Sequence, residues 1–174
     1  METLELIKNR RSVKSYKSDP VPKELLEKIA EAGTFAPNGK GAQAAKIVVI
    51  TNKEIRDRLS KLNASIMGKE EGFDPFYGAP VVFWVLADKD CFTSVYDGSV
   101  VLENLQLAAT DLGLGACWIH RAKQEVESEE GQAILKEIGI EGNYEGIGHC
   151  VVGYIDGDLP AAKPRKDDYV VWAE

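Results

Sequence analysis

Cysteine is scarce in this 174-residue chain: Cys91, Cys117 and Cys150 are the only three, and no C-x-x-C pair exists. A structural zinc or an iron–sulfur cluster therefore lacks its usual ligand spacing. A sparse, odd set of thiols suits a reducing cytosol better than a disulfide scaffold. Histidine is rarer still, with only His120 and His149. No G-x-S-x-G elbow accompanies either, so nothing marks a serine hydrolase, and no metal site is expected. Long apolar runs are missing too. Residues 81–87 form the longest, against the ~20 residues a membrane span needs. The first residues have no basic stretch followed by an apolar core, so no secretory signal is expected and a cytoplasmic location is. Positive charge is in deficit, with 21 Lys+Arg against 28 Asp+Glu and a net charge of −7. That balance argues against duplex nucleic acid and against an anionic membrane surface as partners.

The composition is otherwise that of a folded domain, 44% hydrophobic and 28% charged, enough apolar material for a core. With no repeat, low-complexity stretch or linker, residues 1–174 read as one domain. Apolar periodicity predicts helices over 2–9, from Pro22 to a capping Gly33, over 54–67, 95–112 and 125–138. Strands are expected at 47–50, 81–86, 116–119 and 147–154, and loops at 37–41 and 68–79. Such alternation implies a layered α/β or α+β domain.

Two segments bear on partners. In the 95–112 helix, Val101, Leu105, Ala108 and Leu112 make one apolar stripe, widened by Leu102 and Ala109. Val100 and Leu107 make a second stripe on another side. Two stripes mean burial on both flanks, either inside one core or between a core and a second subunit. Near the end, Tyr169-Val170-Val171-Trp172 is strand-like. It packs on its own domain or extends a partner's sheet edge.

Known phosphate motifs fail. Around Gly39-Lys40 a Walker A loop would need glycine where Thr34 stands and Ser or Thr where Gly41 stands. Gly113-Leu114-Gly115 and Gly146-Ile147-Gly148 lack the full dinucleotide fingerprint. His149, in strand register with Ile147 and Val151, reads as a packed or hydrogen-bonded histidine. What remains is basic charge concentrated in an acidic chain. Arg10-Arg11-Ser12 with Lys14 places three cations and a hydroxyl within five residues, and Lys163-Pro164-Arg165-Lys166 forms a second group. Guanidinium forks, ammonium groups and hydroxyls are phosphate donors. The same residues also serve as ordinary solvated charge unless the fold unites them.

Arg10-Arg11-Ser12-Val13-Lys14 resembles the opening motif of the nitroreductase family, the FMN-dependent NAD(P)H oxidoreductases. Further matches follow in the family's order: Ala36-Pro37-Asn38-Gly39 with Gln43, Gly78-Ala79-Pro80 before the 81–86 strand, and Leu105-Gln106-Leu107-Ala108-Ala109 through Gly113-Leu114-Gly115. Cys117-Trp118-Ile119 and Lys163-Pro164-Arg165 complete a set spanning nearly the whole chain. The resemblance implies an α+β fold, a mixed and mainly antiparallel sheet flanked by helices, with a C-terminal strand exchanged in a homodimer. It implies that Arg10, Arg11, Ser12 and Lys14 hold the FMN phosphate and ribityl chain, with Lys163 and Arg165 closing from the other end. Trp118, Ile119 and His120 would line the isoalloxazine, a backbone N–H near His120 meeting flavin N5. Pro37, Asn38, Gly39 and Gln43 would belong to the same cofactor site, the first three arriving from the second subunit.

The implied reaction is a ping-pong cycle. NADH or NADPH reduces the flavin, and a small acceptor such as a nitroaromatic or quinone reoxidises it, with no catalytic side chain required. Other chemistry on the same fold (reductive dehalogenation, flavin fragmentation) and FMN binding without turnover are the alternatives. The short 68–79 loop leaves no room for a large lid, so a small, open pocket is expected. Lys40 and Arg121 are candidates for a 2′-phosphate contact. Two departures stand out: Gly41 occupies the family's loop Asn position, and Asp74-Pro75 replaces a lysine before Ala-Pro. Lys69 is the nearest lysine, and Arg11 is the candidate cation for reduced flavin.

Overall fold

The computed structural model describes residues 2–174. Four strands form one open sheet in the order β1-β2-β4-β3: β1 Ala45–Ile50, β2 Val81–Asp88, β3 Gly115–Ile119 and β4 Tyr144–Gly153. Every neighbouring pair is antiparallel. The mixed character comes from outside these strands, because Ser12 bridges Ala116 in parallel along the β3 edge.

Central β2 is buried along nearly its whole length, and its apolar run fills two cores by alternation. Val81, Phe83, Val85 and Ala87 face one way, toward α2 (Lys23–Thr34) and α4 (Ser94–Asp111). Val82, Trp84 and Leu86 face the other, toward α3 (Lys53–Ile66), α5 (Ala122–Glu127) and α6 (Glu129–Glu137). A short α1, Thr3–Asn9, precedes the edge segment. The result is a three-layer α+β arrangement in which both faces of the sheet are covered. No helix among the described residues is long and apolar enough to cross a membrane.

The expected element order holds, with differences that have physical causes. The helix expected over 125–138 is two, broken at Ser128, whose backbone is extended (ψ 156°). Ser128 Oγ accepts from the Gly131 N–H at 3.0 Å and donates to the Glu125 carbonyl at 2.7 Å, capping α6 and closing α5 together. Gly33 is not a cap but lies inside the last turn of α2. A Cβ there would stand 2.7 Å from Ile47 and 2.8 Å from Leu105, so the glycine lets α2 lie close on α4 and β1. Residues 169–172 form no strand within the single chain, and all four side chains are exposed.

The α4 stripes separate cleanly. Val101, Leu102, Leu105 and Ala109 are buried in the sheet-facing core. Val100 is exposed and Leu107 only half-buried, and Val95 and Tyr96 are exposed nearby in sequence. Burial of both stripes inside one core is therefore not what this chain does.

Candidate active site

The β3 edge gathers the basic residues. The Ser12–Ala116 bridge and the Val13 N–H bond to the Ala116 carbonyl (3.0 Å) lay residues 12–13 alongside β3. The pairing of Tyr16 with Ile155, and the Lys17 N–H bond to the Tyr154 carbonyl, then draw in the segment after β4. Gly115 permits this crossing, since a Cβ there would meet Val13 and Ile155 at 2.9–3.0 Å. The outcome is one cleft of about 640 Å³ walled by residues from both ends of the chain. Arg10, Arg11, Ser12, Lys14, Lys163 and Arg165 all line it. Five cations against the two carboxylates Asp156 and Asp158 make it locally basic in an acidic chain.

Individual partners refine the roles. Arg11 is the stitch between the termini. Its guanidinium donates to the carbonyls of Pro160 (3.1 Å), Lys8 (2.7 Å) and Arg10 (2.8 Å). Its three acceptors are neutral carbonyls, so the guanidinium keeps its positive charge at the cleft wall. Arg10 lies 3.8 Å from Glu103 of α4. The Lys14 ammonium stands 5.6 Å above the Tyr77 ring. Burial pushes the Cys117 thiol upward, while a hydrogen bond from Ser12 and the Lys14 and Arg10 charges pull it down.

Lys69 does not line this cleft. Its ammonium packs over Phe73, and it lines a separate surface cleft with Arg56 and Asp74. Asp74 organises the turn before Ala79-Pro80. It accepts from Arg56 Nη2 (2.5 Å), Ser60 Oγ (2.6 Å) and the N–H groups of Phe76 (2.9 Å) and Gly78 (2.7 Å). Burial alone would raise its carboxyl, but the Arg56, Ser60 and Gly78 hydrogen bonds prevail and hold it below the ordinary value.

Past the cleft, β3 carries half-buried Trp118, buried Ile119 and then exposed His120. Gly148 makes room for the indole, since a Cβ there would meet Trp118 at 3.0 Å. Arg121 follows in a left-handed conformation (φ 81°), a strain of about 1–2 kcal/mol for a side-chain-bearing residue.

Underneath lies a fully buried polar group that sequence reasoning missed apart from its histidine. His149 Nδ1 donates to the Ile119 carbonyl at 3.2 Å, since a carbonyl can only accept. His149 Nε2 stands 2.7 Å from Glu125 Oε2. An unprotonated ring nitrogen and a carboxylate would repel at that distance, so one proton is held between them. Asn63 Nδ2 donates to both Glu125 Oε1 (2.6 Å) and the His120 carbonyl (2.8 Å). The signal for this group was Glu125 on an apolar helix face, between Ala122 and Val126.

Pro37, Asn38, Gly39 and Gln43 are not brought to the basic cleft within one chain. Their loop sits against α4, the Gly39 N–H donating to Asp97 Oδ1 (3.1 Å) and the Gln43 N–H to Asn38 Oδ1 (2.9 Å). Asn38 and Gln43 line a smaller cavity of about 240 Å³ with Asp97 and Val101.

Comparison with known proteins bears on the fold and the family. The model of the nitroreductase family matches residues 7–154. A protein of Methanothermobacter thermautotrophicus named NADH dehydrogenase/NAD(P)H nitroreductase is 32% identical over 123 residues, 68% of this chain and 60% of its own length. The chain thus spans about 60% of that relative. An NADPH-dependent oxidoreductase of Staphylococcus aureus is 24% identical over 174 residues, 92% of this chain and 68% of its own. Among solved structures, a nitroreductase with bound FMN from Bacteroides fragilis superposes with a TM-score of 0.90 at 29% identity, covering 100% of both chains. A second, from Desulfitobacterium hafniense and also with bound FMN, gives 0.89 at 27%, covering 100% and 99%. With that match over most of its length, the chain belongs to the nitroreductase family.

Proposed function

We propose that this protein is an FMN-dependent oxidoreductase that takes hydride from NAD(P)H and passes it to a small acceptor, the two substrates using one open site in turn. The observation that carries this reading is the single basic cleft built from residues 10–15 and 155–165. A phosphate monoester bears about −1.5 to −2 charge at neutral pH and accepts through three oxygens. Arg10, Lys14, Lys163 and Arg165 match the charge, and Ser12 adds a hydroxyl donor. The volume lies within the range typical of small-molecule pockets. Bound FMN would supply N5 as the hydride-accepting centre. The chain would hold the phosphate at the cleft, flank the ring system with Trp118 and Ile119, and direct a main-chain N–H at His120 or Arg121 toward N5. No side-chain nucleophile or general base is needed.

The reading includes a homodimer. Pro37, Asn38, Gly39 and Gln43 would meet the flavin of a second copy, with α4 at the seam. Support comes from the uncovered α4 face bearing Val100 and Tyr96, and from the exposed 169–172 segment suited to a partner's surface.

The deciding experiment is an absorbance spectrum of the purified protein after incubation with FMN, followed by anaerobic titration with NADH and with NADPH. Retained yellow colour that bleaches with either nicotinamide, and returns on adding a quinone or nitroaromatic, is the expected result. Failure to take up FMN overturns the reading. Colour that neither nicotinamide bleaches reduces it to cofactor binding without turnover.

A further inference from the structure

The Asn63–Glu125–His149 group lies outside the basic cleft, and nothing in the proposed reaction uses it directly. Its members come from three elements, α3, α5 and β4, and each is fully buried. Beside ring packing of His149 on Phe76 and Trp84, the side-chain hydrogen bonds that leave the group end on the backbone where β3 finishes. His149 holds the Ile119 carbonyl and Asn63 holds the His120 carbonyl. The Glu125 N–H holds the third successive carbonyl, that of Arg121, at 3.1 Å. Three consecutive carbonyls are therefore fixed, two of them by side chains that the Glu125 carboxyl ties together.

All peptide bonds here are trans. In a trans peptide the N–H points opposite to the C=O of the same unit. Turning the Ile119 and His120 carbonyls toward the buried group thus aims the N–H groups of His120 and Arg121 away from it. The left-handed Arg121 is the strained link in this turn, and strain of that kind persists only where surroundings over-determine it.

We propose that Asn63, Glu125 and His149 are positioning residues that preset the His120 and Arg121 amides as donors to the flavin at N5. This rests on the functional reading above, which places the flavin against that turn. Glu125 is the keystone. Its carboxyl accepts from Asn63 and shares a proton with His149, so its loss frees both clamps at once. A rigid backbone donor of this kind costs no reorganisation when charge develops on the acceptor. It also explains why an apolar core retains a Glu–His pair that apolar residues of similar volume would replace without loss of stability.

The test compares Asn63→Ala, Glu125→Ala and Glu125→Gln with the unmodified protein, each loaded with FMN. Glutamine keeps an acceptor for Asn63 and can donate to the unprotonated Nε2 of His149, so it should behave nearly as the unmodified protein does. The alanine variants should keep FMN affinity within about threefold, because the phosphate end is untouched. Their bound flavin should show about a tenfold change in the reduced-to-oxidised ratio at fixed potential, about 30 mV for a two-electron couple. Hydride uptake from NAD(P)H in a single turnover should slow about tenfold or more. Independently of turnover, the His120 and Arg121 amide resonances of the apo-variants should exchange with deuterium faster than in the unmodified apo-protein. If Glu125→Ala fails to fold, Asn63→Ala and Asn63→Ser carry the test, since they release the His120 carbonyl and one Glu125 oxygen while leaving the His149 clamp on Ile119 in place.

Unchanged potential, hydride rate and amide exchange in Asn63→Ala would overturn the proposal while leaving the functional reading intact. A lowered melting temperature with unchanged potential and rate in the flavin still bound would do the same, reducing the group to core structure. An unmodified protein that takes up no FMN would remove the functional reading first.

Discussion

The phosphate assignment is most exposed in the double substitution Arg10→Ala with Arg165→Ala. One side chain comes from each wall of the cleft, and neither is buried in a core: Arg10 is 26% exposed and Arg165 is exposed. A charge-assisted hydrogen bond contributes about 1.5–3 kcal/mol in protected surroundings. The cleft is open, so the low end applies, and two lost contacts amount to about 3 kcal/mol. At about 1.4 kcal/mol per tenfold, FMN affinity should fall by about 100-fold. Folding of the apo-protein should barely respond, because surface substitutions away from special features stay within about 0.5 kcal/mol. Thinning five crowded cations removes mutual repulsion, so any change in apo stability should be slightly favourable. Fluorescence quenching of FMN on titration with apo-protein gives the affinity, and thermal unfolding without FMN gives the stability. A charge-matched control, Lys28→Ala with Lys136→Ala, removes exposed cations from α2 and α6 and should leave FMN affinity unchanged. Raising salt should weaken binding in the unmodified protein and flatten the difference from the double variant. Equal affinity in the double variant and the unmodified protein would refute the reasoning, whatever the enzyme's activity.

Asp74→Asn should destabilise the fold by about 2–3 kcal/mol, because it removes the closer of two carboxylates from the mostly buried Arg56, leaving it only the half-exposed Asp57 at 3.1 Å. The Asp74 carboxyl is held below its ordinary value, so its contribution is full above the unfolded-state value near 3.9 and is lost as pH falls through the lower folded-state value. A urea melt series between pH 3 and 6 should show the acid fall-off in the unmodified protein and a flatter profile in the variant. Gly33→Ala should cost about 1–3 kcal/mol by overpacking against Ile47 and Leu105, seen as a lower melting temperature with an unchanged FMN site. On the proposed homodimer with α4 at its seam, Val100→Glu should give a monomer in analytical ultracentrifugation while leaving the chain folded, since the residue is exposed in the single chain. A dimer that persists would place the seam elsewhere.

Legibility in the sequence divided along a physical line. Periodicity exposed the strands and long helices because each buries one face or two against a sheet, and the period records it. The doubly buried β2 read as an unbroken apolar run for the same reason. The break at Ser128 was hidden because its cause is tertiary: Gly131 must sit tight on the Glu125 carbonyl, which no local propensity reports. Gly33 misled because a glycine at a helix end is ambiguous between cap and close contact until its neighbours are known. The two basic groups were visible as residues but not as a site, since 149 residues separate Arg11 from the Pro160 carbonyl it holds. Only the resemblance in motif order implies that juxtaposition. The Asn63–Glu125–His149 group was the least readable, because three elements distant in sequence each contribute one polar residue to an otherwise apolar layer.

The Arg11 stitch also bears on how the protein is made. Its guanidinium fastens a carbonyl at position 160 to carbonyls at positions 8 and 10. A ribosome therefore has to extrude the chain past residue 160 before the two walls of the basic cleft can touch. An anion that needs both walls meets its complete cleft only once residues 155–165 have emerged, however early residues 10–15 are made.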